Sequence, residues 1–269
     1  MTTQQDQAQR FLALHQGDMP FLMPNPWDAG SARILASLGF EALATTSSGF
    51  AATLGRLDGS VTREEAIAHA AALVAATDVP VSADLENGFA DDPTDVATTI
   101  TLALDAGLAG CSIEDYSGRE LYPFEVAVAR VAAAAHTAHA GDVHLVLTAR
   151  AENHIRGNPD LDDTIKRLQA YQAAGADVLF APGVSDLDDI RRVVSSVDAP
   201  VSVLALPSAP SVAELGKVGV KRISVGGAFA YVGIGAVATA ARELLEQGTY
   251  GYWSVAGPGA ALARTAFTR

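Results

Sequence analysis

Acidic side chains stand at the ends of two successive apolar segments of the chain. Asp84 and Glu86 close the segment VSADLE, and Glu114 closes the next one, GCSIE. If both segments are strands, residues two apart face the same side, and neighbouring strands lie about 4.8 Å apart. The three carboxylates would then converge, which is costly unless a cation compensates their charge. Oxygen ligands without histidine or cysteine favour Mg²⁺ over Zn²⁺, so the pattern predicts a magnesium site. The alternative is that these carboxylates cap helices or pair with Arg150.

Other polar groups follow the remaining apolar segments. Arg150 follows the fifth one, and it could hold a substrate carboxylate through a bidentate contact or pair with Glu114 or Glu152. The sequence leaves these two alternatives open. A turn at 45–49, TTSSG, offers backbone N–H groups and hydroxyls beside a glycine, a common way to hold an anion. The Gly-Gly pair at 226–227 fits either a phosphate site or close backbone packing.

No motif singles out the general acid or base. Glu114, Tyr116, Glu120 and His154 are candidates because each follows the fourth or fifth apolar segment, and His154 is the only histidine on a loop of this kind. Cys111 lies within an apolar run, which predicts a buried structural thiol. Because it is the only cysteine, no internal disulfide and no cysteine-based zinc site can form.

Eight short apolar segments must position these side chains. They are Phe21–Pro24, Ala42–Thr46, Val79–Leu85, Gly110–Glu114, His144–Ala149, Val178–Ala181, Val201–Leu206 and Arg222–Val225. Amphipathic, alanine-rich stretches separate them, and several of these stretches end at a glycine suited to a helix C-terminus. Such alternation predicts a parallel sheet, and eight units predict a single (β/α)₈ TIM-type barrel with its functional groups at the carboxyl ends of the strands. The alternative, a doubly wound open sheet, would carry a three-glycine dinucleotide fingerprint that is absent here.

The chain of 269 residues is interpreted as one barrel domain with an additional segment at each end. Residues 1–17 contain a helix that could cover the barrel bottom, and residues 248–269 form a tail without an assigned place. The net charge of −13 repels nucleic acid and anionic membranes, so neither is an expected partner. No apolar run approaches the roughly 18–20 residues that span a bilayer, and no signal peptide is recognisable. We therefore expect a cytoplasmic protein.

Five segments occur in the order PNPWDAGSARIL, ATTSSGFAATLGRLDG, VSADLENGF, GCSIEDY and LTARAENHI. With them the chain resembles the isocitrate lyase and phosphoenolpyruvate mutase superfamily, in particular its smaller mutase-like bacterial branch of carboxyvinyl-carboxyphosphonate phosphorylmutase type. The resemblance implies a (β/α)₈ barrel, Mg²⁺ with Mn²⁺ as a substitute, and an enolate-type intermediate. It also implies a homodimer or homotetramer in which the last barrel helix, about Phe229–Gln247, is exchanged between subunits.

The resemblance also implies roles for individual residues. Ser47 and Ser48, with Gly49, would bind the carboxylate and oxo group of the substrate, and Arg150 would contact it as well. The metal would be held, directly or through water, by Asp58 of the GRLDG loop together with Asp84, Glu86 and Glu114.

The chain departs from the superfamily pattern at three places. Relatives commonly carry Asp where Glu86 stands, and the longer side chain could move the ion. The lyases have a catalytic cysteine in the loop after the fourth strand, whereas the loop Tyr116–Pro123 has none. The phosphonate mutases place a histidine on strand six, where this chain has Ala181-Pro182-Gly183. Cleavage of isocitrate or methylisocitrate and phosphoenolpyruvate mutase activity are therefore not expected.

These observations together predict a Mg²⁺-dependent enzyme. It would make or break a C–C or P–C bond of a small 2-oxo acid, malate-like dicarboxylate or phosphonate, with catalytic roles for Arg150, Glu114 and Tyr116. The alternative is a degenerate barrel that binds an oxo acid without turnover. The apolar segment Ala228–Leu245 after the eighth strand supports the expectation of a dimer or tetramer.

Overall fold

Eight parallel strands form a nearly closed barrel in a computed structural model that describes residues 2–268. The strands are β1 (Phe21–Met23), β2 (Leu43–Ala44), β3 (Val81–Asp84), β4 (Gly110–Glu114), β5 (Val146–Arg150), β6 (Val178–Phe180), β7 (Val201–Leu204) and β8 (Arg222–Ser224). Each strand from β2 to β7 pairs with the next, and β8 pairs with β1. Between β1 and β2, the Ala44 amide donates to the Pro24 carbonyl at 3.1 Å. The predicted barrel and all eight strands are confirmed, and the open sheet is excluded.

Helices alternate with these strands. They are α1 (Gln4–Leu14), α2 (Ala29–Ser37), α3 (Ser47–Thr53), α4 (Arg63–Ala76), α5 (Pro93–Asp105), α6 (Phe124–Ala138), α7 (Leu161–Ala173), α8 (Leu187–Ser195), α9 (Val212–Lys217), α10 (Ala228–Gln247) and α11 (Trp253–Phe267). Local chemistry fixes many of their ends. Thr62 and Glu65 form a reciprocal capping box at the start of α4. Asp92 caps α5, whose first residue is Pro93.

Two apolar clusters occupy different layers of the barrel. The larger cluster lies between strands and helices and includes Cys111, which is fully buried, as expected for a structural thiol. The smaller cluster includes the α1 residue Phe11 together with Phe21, Val146 and Val178 from the amino ends of strands. Helix α1 therefore covers the barrel bottom, as the sequence suggested.

The C-terminal tail, which the sequence left unplaced, is helical and contacts α2. Phe267 of α11 lies against Gly30, and its carbonyl accepts a hydrogen bond from Arg33 at 3.4 Å.

Helix α10 follows β8 and exposes most of its apolar residues, because Ala230 is the only one of its 20 residues that is buried. Its length and composition would allow it to cross a membrane. The expectation that no segment of the chain is long and apolar enough was therefore wrong, because small uncharged residues extend the apolar run of this helix.

Candidate active site

Two cavities open at the carboxyl ends of the strands and share Ser47, Asp58 and Arg150. The first, called here the inner cavity, has a volume of about 220 Å³ and extends into the barrel to Arg222. The second, called the outer cavity, has a volume of about 400 Å³ and is lined by Glu86, Glu114 and Tyr116 among others. The barrel therefore gathers at one mouth most of the side chains that the sequence placed at strand ends.

Arg150, the last residue of β5, contacts three carboxylates. Its guanidinium lies 2.9 Å from Asp84, 3.0 Å from Glu114 and 2.9 Å from Glu152. Burial by itself would lower the pKa of Arg150, but these carboxylates raise it above its ordinary value. Of the two roles that the sequence left open, the structure shows the ion pairs, while Arg150 also lines both cavities and can reach a bound molecule.

Glu86 reaches the mouth by a different route from the one expected. Strand β3 ends at Asp84, and Glu86 has a left-handed backbone with φ of 48°, so the prediction that both share one strand face was wrong. The Glu86 carbonyl accepts a hydrogen bond from the Glu114 amide at 2.8 Å, which places the two residues side by side at the barrel mouth. A left-handed glutamate is uncommon, and here the turn directs its carboxylate into the outer cavity.

The electrostatic surroundings of Glu86 oppose its ionisation. Burial and the charges of Asp84 and Asp58 raise the pKa of Glu86 to about 7. One carboxylate oxygen, Oε1, is buried and has no hydrogen-bond partner among the described residues. A hard cation is the kind of ligand that would satisfy this oxygen and favour the ionised form.

Glu114 lies deeper at the same mouth. Burial raises its pKa, and the nearby Glu152 carboxylate adds to this effect, while Arg150 opposes it. Arg156 also approaches Glu114, at 3.3 Å, and Glu152, at 3.1 Å. Burial therefore opposes the ionisation of Glu114, although two guanidinium groups lie beside it.

Five carboxylates at the mouth face two guanidinium groups, which leaves an excess of negative charge. The carboxylates belong to Asp58, Asp84, Glu86, Glu114 and Glu152, and the guanidiniums to Arg150 and Arg156. These carboxylates offer only oxygen atoms to a cation, and one of those atoms, Oε1 of Glu86, has no hydrogen-bond partner among the described residues. This set fits a Mg²⁺-type ion in donor chemistry and in charge.

A tighter cluster of ligand atoms lies elsewhere. Within residues 2–268, the one group of three histidine or carboxylate ligand atoms that all lie within 4.8 Å of one another comes from His139, His144 and Asp177. These residues precede β5 and β6, at the opposite end of the barrel from the mouth. At the mouth, by contrast, Arg150 forms ion pairs with Asp84 and Glu114. A metal ion that bound to these two carboxylates would have to displace the ion pairs.

Ser47, Ser48 and Gly49 form the first turn of a helix, α3, rather than the free turn that the sequence suggested. Thr46 caps this helix by accepting the Gly49 amide, and its hydroxyl lies 3.2 Å from that of Ser48. A Cβ on Gly49 would stand 2.5 Å from the Thr46 methyl group, so only glycine fits there. Ser47 and Ser48 line the inner cavity, at the end of a helix that favours anions.

The candidate acids and bases are placed differently from one another. Tyr116 lines the outer cavity and its ring lies 3.9 Å from the Arg156 guanidinium carbon. Glu120 is exposed on the outer side of the loop, and His154 lines neither cavity. Burial lowers the pKa of His154, which favours the neutral ring. The geometry therefore presents Glu114 and Tyr116 to a bound molecule.

A buried hydrogen-bond network that no sequence motif indicated supports this site. Asp115 accepts hydrogen bonds from the Glu152 amide at 2.8 Å and the Tyr171 hydroxyl at 2.6 Å. It also pairs with Arg167 at 3.0 Å. The network ties the segment after β5 to helix α7, and so fixes Glu152 beside Arg150. Its signal in the sequence is the Glu-Asp pair at 114–115, of which only the first residue was considered.

The profile of the phosphoenolpyruvate phosphomutase family matches residues 11–245. A solved structure from Burkholderia cenocepacia J2315, provisionally assigned as a lyase or mutase, is 50% identical with a TM-score of 0.94, over 97% of this chain and 95% of the other. Oxaloacetate decarboxylase of Chromohalobacter salexigens is 30% identical, over 85% of this chain and 82% of its own. The 2-methylisocitrate lyase of Halalkalibacterium halodurans is 31% identical, over 74% and 67%.

Proposed function

The chain belongs to the phosphoenolpyruvate phosphomutase family, and on that basis we propose that it is a Mg²⁺-dependent enzyme that breaks or makes a C–C or P–C bond of a small 2-oxo acid through an enolate-type intermediate. The observation that carries the proposal is the excess of carboxylates around Glu86 at the barrel mouth, next to a cavity of small-molecule size. Among such substrates we favour a 2-oxo diacid such as oxaloacetate.

Two observations support this preference. The similarity to oxaloacetate decarboxylase spans more of both chains than the similarity to 2-methylisocitrate lyase does. In addition, the loop at 116–123 contains no thiol, and Cys111 is fully buried. Burial raises the pKa of the Cys111 thiol to about 12, so this group cannot serve as the acid or base at neutral pH.

The proposed site divides into a metal-binding part and an anion-binding part. Asp58, Asp84, Glu86 and Glu114 would hold the ion, directly or through water. A bound Mg²⁺ would polarise the oxo group and stabilise negative charge on the enolate oxygen. The first turn of α3, with Ser47, would bind the carboxylate next to the oxo group.

The proposed roles of the other residues concern orientation and proton transfer. Arg150 would position the substrate and hold Asp84 and Glu114 in place, since it contacts both. Tyr116 lies beside the Arg156 guanidinium in the outer cavity and is a candidate to protonate the carbon atom of the enolate. Glu114, whose pKa burial raises, is a second group able to hold that proton.

We also propose that the protein is a dimer or tetramer assembled through α10. This helix exposes Tyr231, Val232, Ile234 and Val237, each of which is at least half exposed. Exposed apolar side chains of this number mark an interaction surface, and another subunit is the partner that the resemblance implies.

A substrate panel tests the activity. Oxaloacetate, phosphonopyruvate and 2,3-dialkylmalates are incubated with the enzyme in Mg²⁺ or in EDTA, and products are followed by NMR. We expect product from at least one 2-oxo acid, and only with the metal. A matched control is Glu41→Gln, an exposed glutamate before β2, which should retain full turnover. Binding of an oxo acid without product from any substrate would instead support the degenerate barrel.

A further inference from the structure

Arg222 is a buried cation without an acidic partner. It is the first residue of β8, its exposed fraction is 3%, and it lines the inner cavity. Within residues 2–268 no carboxylate lies within 4.0 Å of its guanidinium, and the carboxylates of the mouth pair with Arg150 and Arg156 instead. The inner cavity is therefore lined by Arg150, whose charge is balanced by carboxylates, and by Arg222, whose charge is not.

All hydrogen-bond partners of Arg222 are neutral. Its Nε donates to the Ser202 hydroxyl at 2.9 Å, and Nη1 to the Thr148 hydroxyl at 3.0 Å. Nη1 also lies 3.4 Å from Nε2 of His15. Because Nδ1 of His15 donates to the Phe11 carbonyl at 2.9 Å, Nε2 is the acceptor. Burial lowers the pKa of His15 to about 3, so this ring carries no charge.

A buried charge of this kind is costly. Moving a guanidinium out of water is compensated only by an opposite charge or by a full set of hydrogen bonds. Burial and the charge of Arg150 lower the pKa of Arg222 to about 9, so the group still carries its proton at neutral pH. Within the described chain, Nη2 donates to no protein atom. The two N–H groups of Nη2 therefore remain available to a ligand in the cavity.

The inner cavity connects Arg222 with the mouth. Between them the interior positions carry the small residues Ser82, Ser112 and Ser224, where such barrels usually pack bulky aliphatic side chains. Gly226, at the mouth, stands four residues after Arg222, about 13 Å along a strand. Because Arg222 and residues of the mouth line the same cavity, a ligand that extends from the mouth into the barrel can contact the guanidinium at the cavity floor.

We propose that Arg222 is a specificity-determining residue that binds the second, distal carboxylate of a small dicarboxylate whose first carboxylate lies at the mouth. The inference rests on the proposed function for the orientation of the ligand. The Nη2 group of Arg222, which has no protein partner within the described chain, can donate charge-assisted hydrogen bonds to a carboxylate, which provides the negative charge that the immediate surroundings of Arg222 lack. A monoacid would leave Arg222 uncompensated and should therefore bind more weakly.

The test compares succinate with butyrate, which have the same number of carbon atoms and differ by one carboxylate. Their dissociation constants are measured by titration calorimetry in Mg²⁺ and low chloride, on the full chain. We expect the protein to bind succinate at least about tenfold more tightly, as hydrogen bonds to a charged group predict. Arg222→Gln should abolish this preference, and Arg10→Gln, on the exposed face of α1, should leave it unchanged.

Arg222→Met is a second variant in case the Gln variant fails to fold. An apolar side chain of similar length often replaces a buried ion without loss of stability, so this variant should fold and bind both acids equally. Retention of the succinate preference in either variant would overturn the inference. Equal Arg222-dependent binding of chloride, butyrate and succinate would also overturn it, because the site would then accept any anion.

The outcome is separable from that of the proposed function. Neither ligand is a 2-oxo acid or is turned over, so a succinate preference that depends on Arg222 can stand even if no substrate in the panel reacts. Conversely, turnover of oxaloacetate with an unchanged preference in the Arg222 variants would reject only the role of Arg222.

Discussion

Replacing Glu86 with glutamine should stabilise the metal-free protein above neutral pH. Burial, followed by the charges of Asp84 and Asp58, raises the pKa of Glu86 from 4.5 to about 7. An acid with a raised pKa in the folded state binds its proton more tightly there than in the unfolded chain. The fold therefore loses stability as the pH rises from about 4.5 to 7, and the loss is complete above that range.

The size of this loss follows from the same values. The full difference corresponds to about 3 kcal/mol above pH 7, and partial exposure of the side chain reduces it to about 1–2 kcal/mol. In Glu86→Gln the charge is absent, so in EDTA at pH 8 the variant should melt about 3–6 °C above the natural protein. At pH 4.5 the two proteins should melt together.

Mg²⁺ should reverse the order at pH 8. The ion stabilises the protein that binds it, and the natural protein keeps the carboxylate that the variant lacks. Thermal unfolding followed by circular dichroism, in EDTA and in Mg²⁺, measures both effects, and Glu41→Gln serves as the exposed control. If Glu86→Gln melts lower than the natural protein at pH 8 and neither responds to Mg²⁺, Glu86 has a structural role and the metal site is wrong.

Three further predictions concern other parts of the molecule. Arg150→Gln should lower the free energy of unfolding by about 3–5 kcal/mol in urea titrations, because the buried Glu114 and Glu152 and the partly buried Asp84 lose the guanidinium that contacts all three; an unchanged midpoint would contradict the importance of these ion pairs. Cys111→Ser should keep kcat/KM within about twofold of the natural value, because the thiol lies in the core, and loss of activity in a folded variant would argue for a catalytic thiol. Isocitrate and methylisocitrate should be poor substrates of the natural protein. Val237→Asp on α10 should shift light-scattering masses from oligomer to monomer, whereas a natural protein that is monomeric at micromolar concentration would refute the assembly.

The two arginines of the barrel illustrate how one residue type can have different functions. Arg150 is surrounded by carboxylates, so its charge holds together the side chains that we propose to bind the metal. Arg222 is surrounded by hydroxyls and a neutral imidazole, so its charge is free to attract an anion. The interior of the barrel thus has negative charge at its mouth and positive charge at its floor, which fits a ligand that carries both a metal-binding end and an acidic end.

The barrel and the strand ends that line its mouth could be predicted from the sequence. Apolar runs and helix-capping residues are local signals, since they depend on periodicity and on neighbours a few residues apart. Strands β3, β4 and β5 could therefore be located from the sequence, and with them Asp84, Glu114 and Arg150. Because the carboxyl ends of parallel strands share one edge, the convergence of these side chains followed from topology.

The contacts between charged side chains could not be predicted in this way, because they depend on the folded chain. Arg150 and Asp84 are 66 residues apart, and their contact depends on how neighbouring strands are aligned. The left-handed backbone of Glu86 arises where a strand meets its turn, and a periodic pattern cannot show where that strand stops. Arg222 looked like an ordinary residue at the start of a strand; the three-dimensional packing places it inside the barrel, with no described carboxylate within 4.0 Å of its guanidinium. Pairing and burial of charge depend on distances between remote segments, and those distances exist only once the chain has folded.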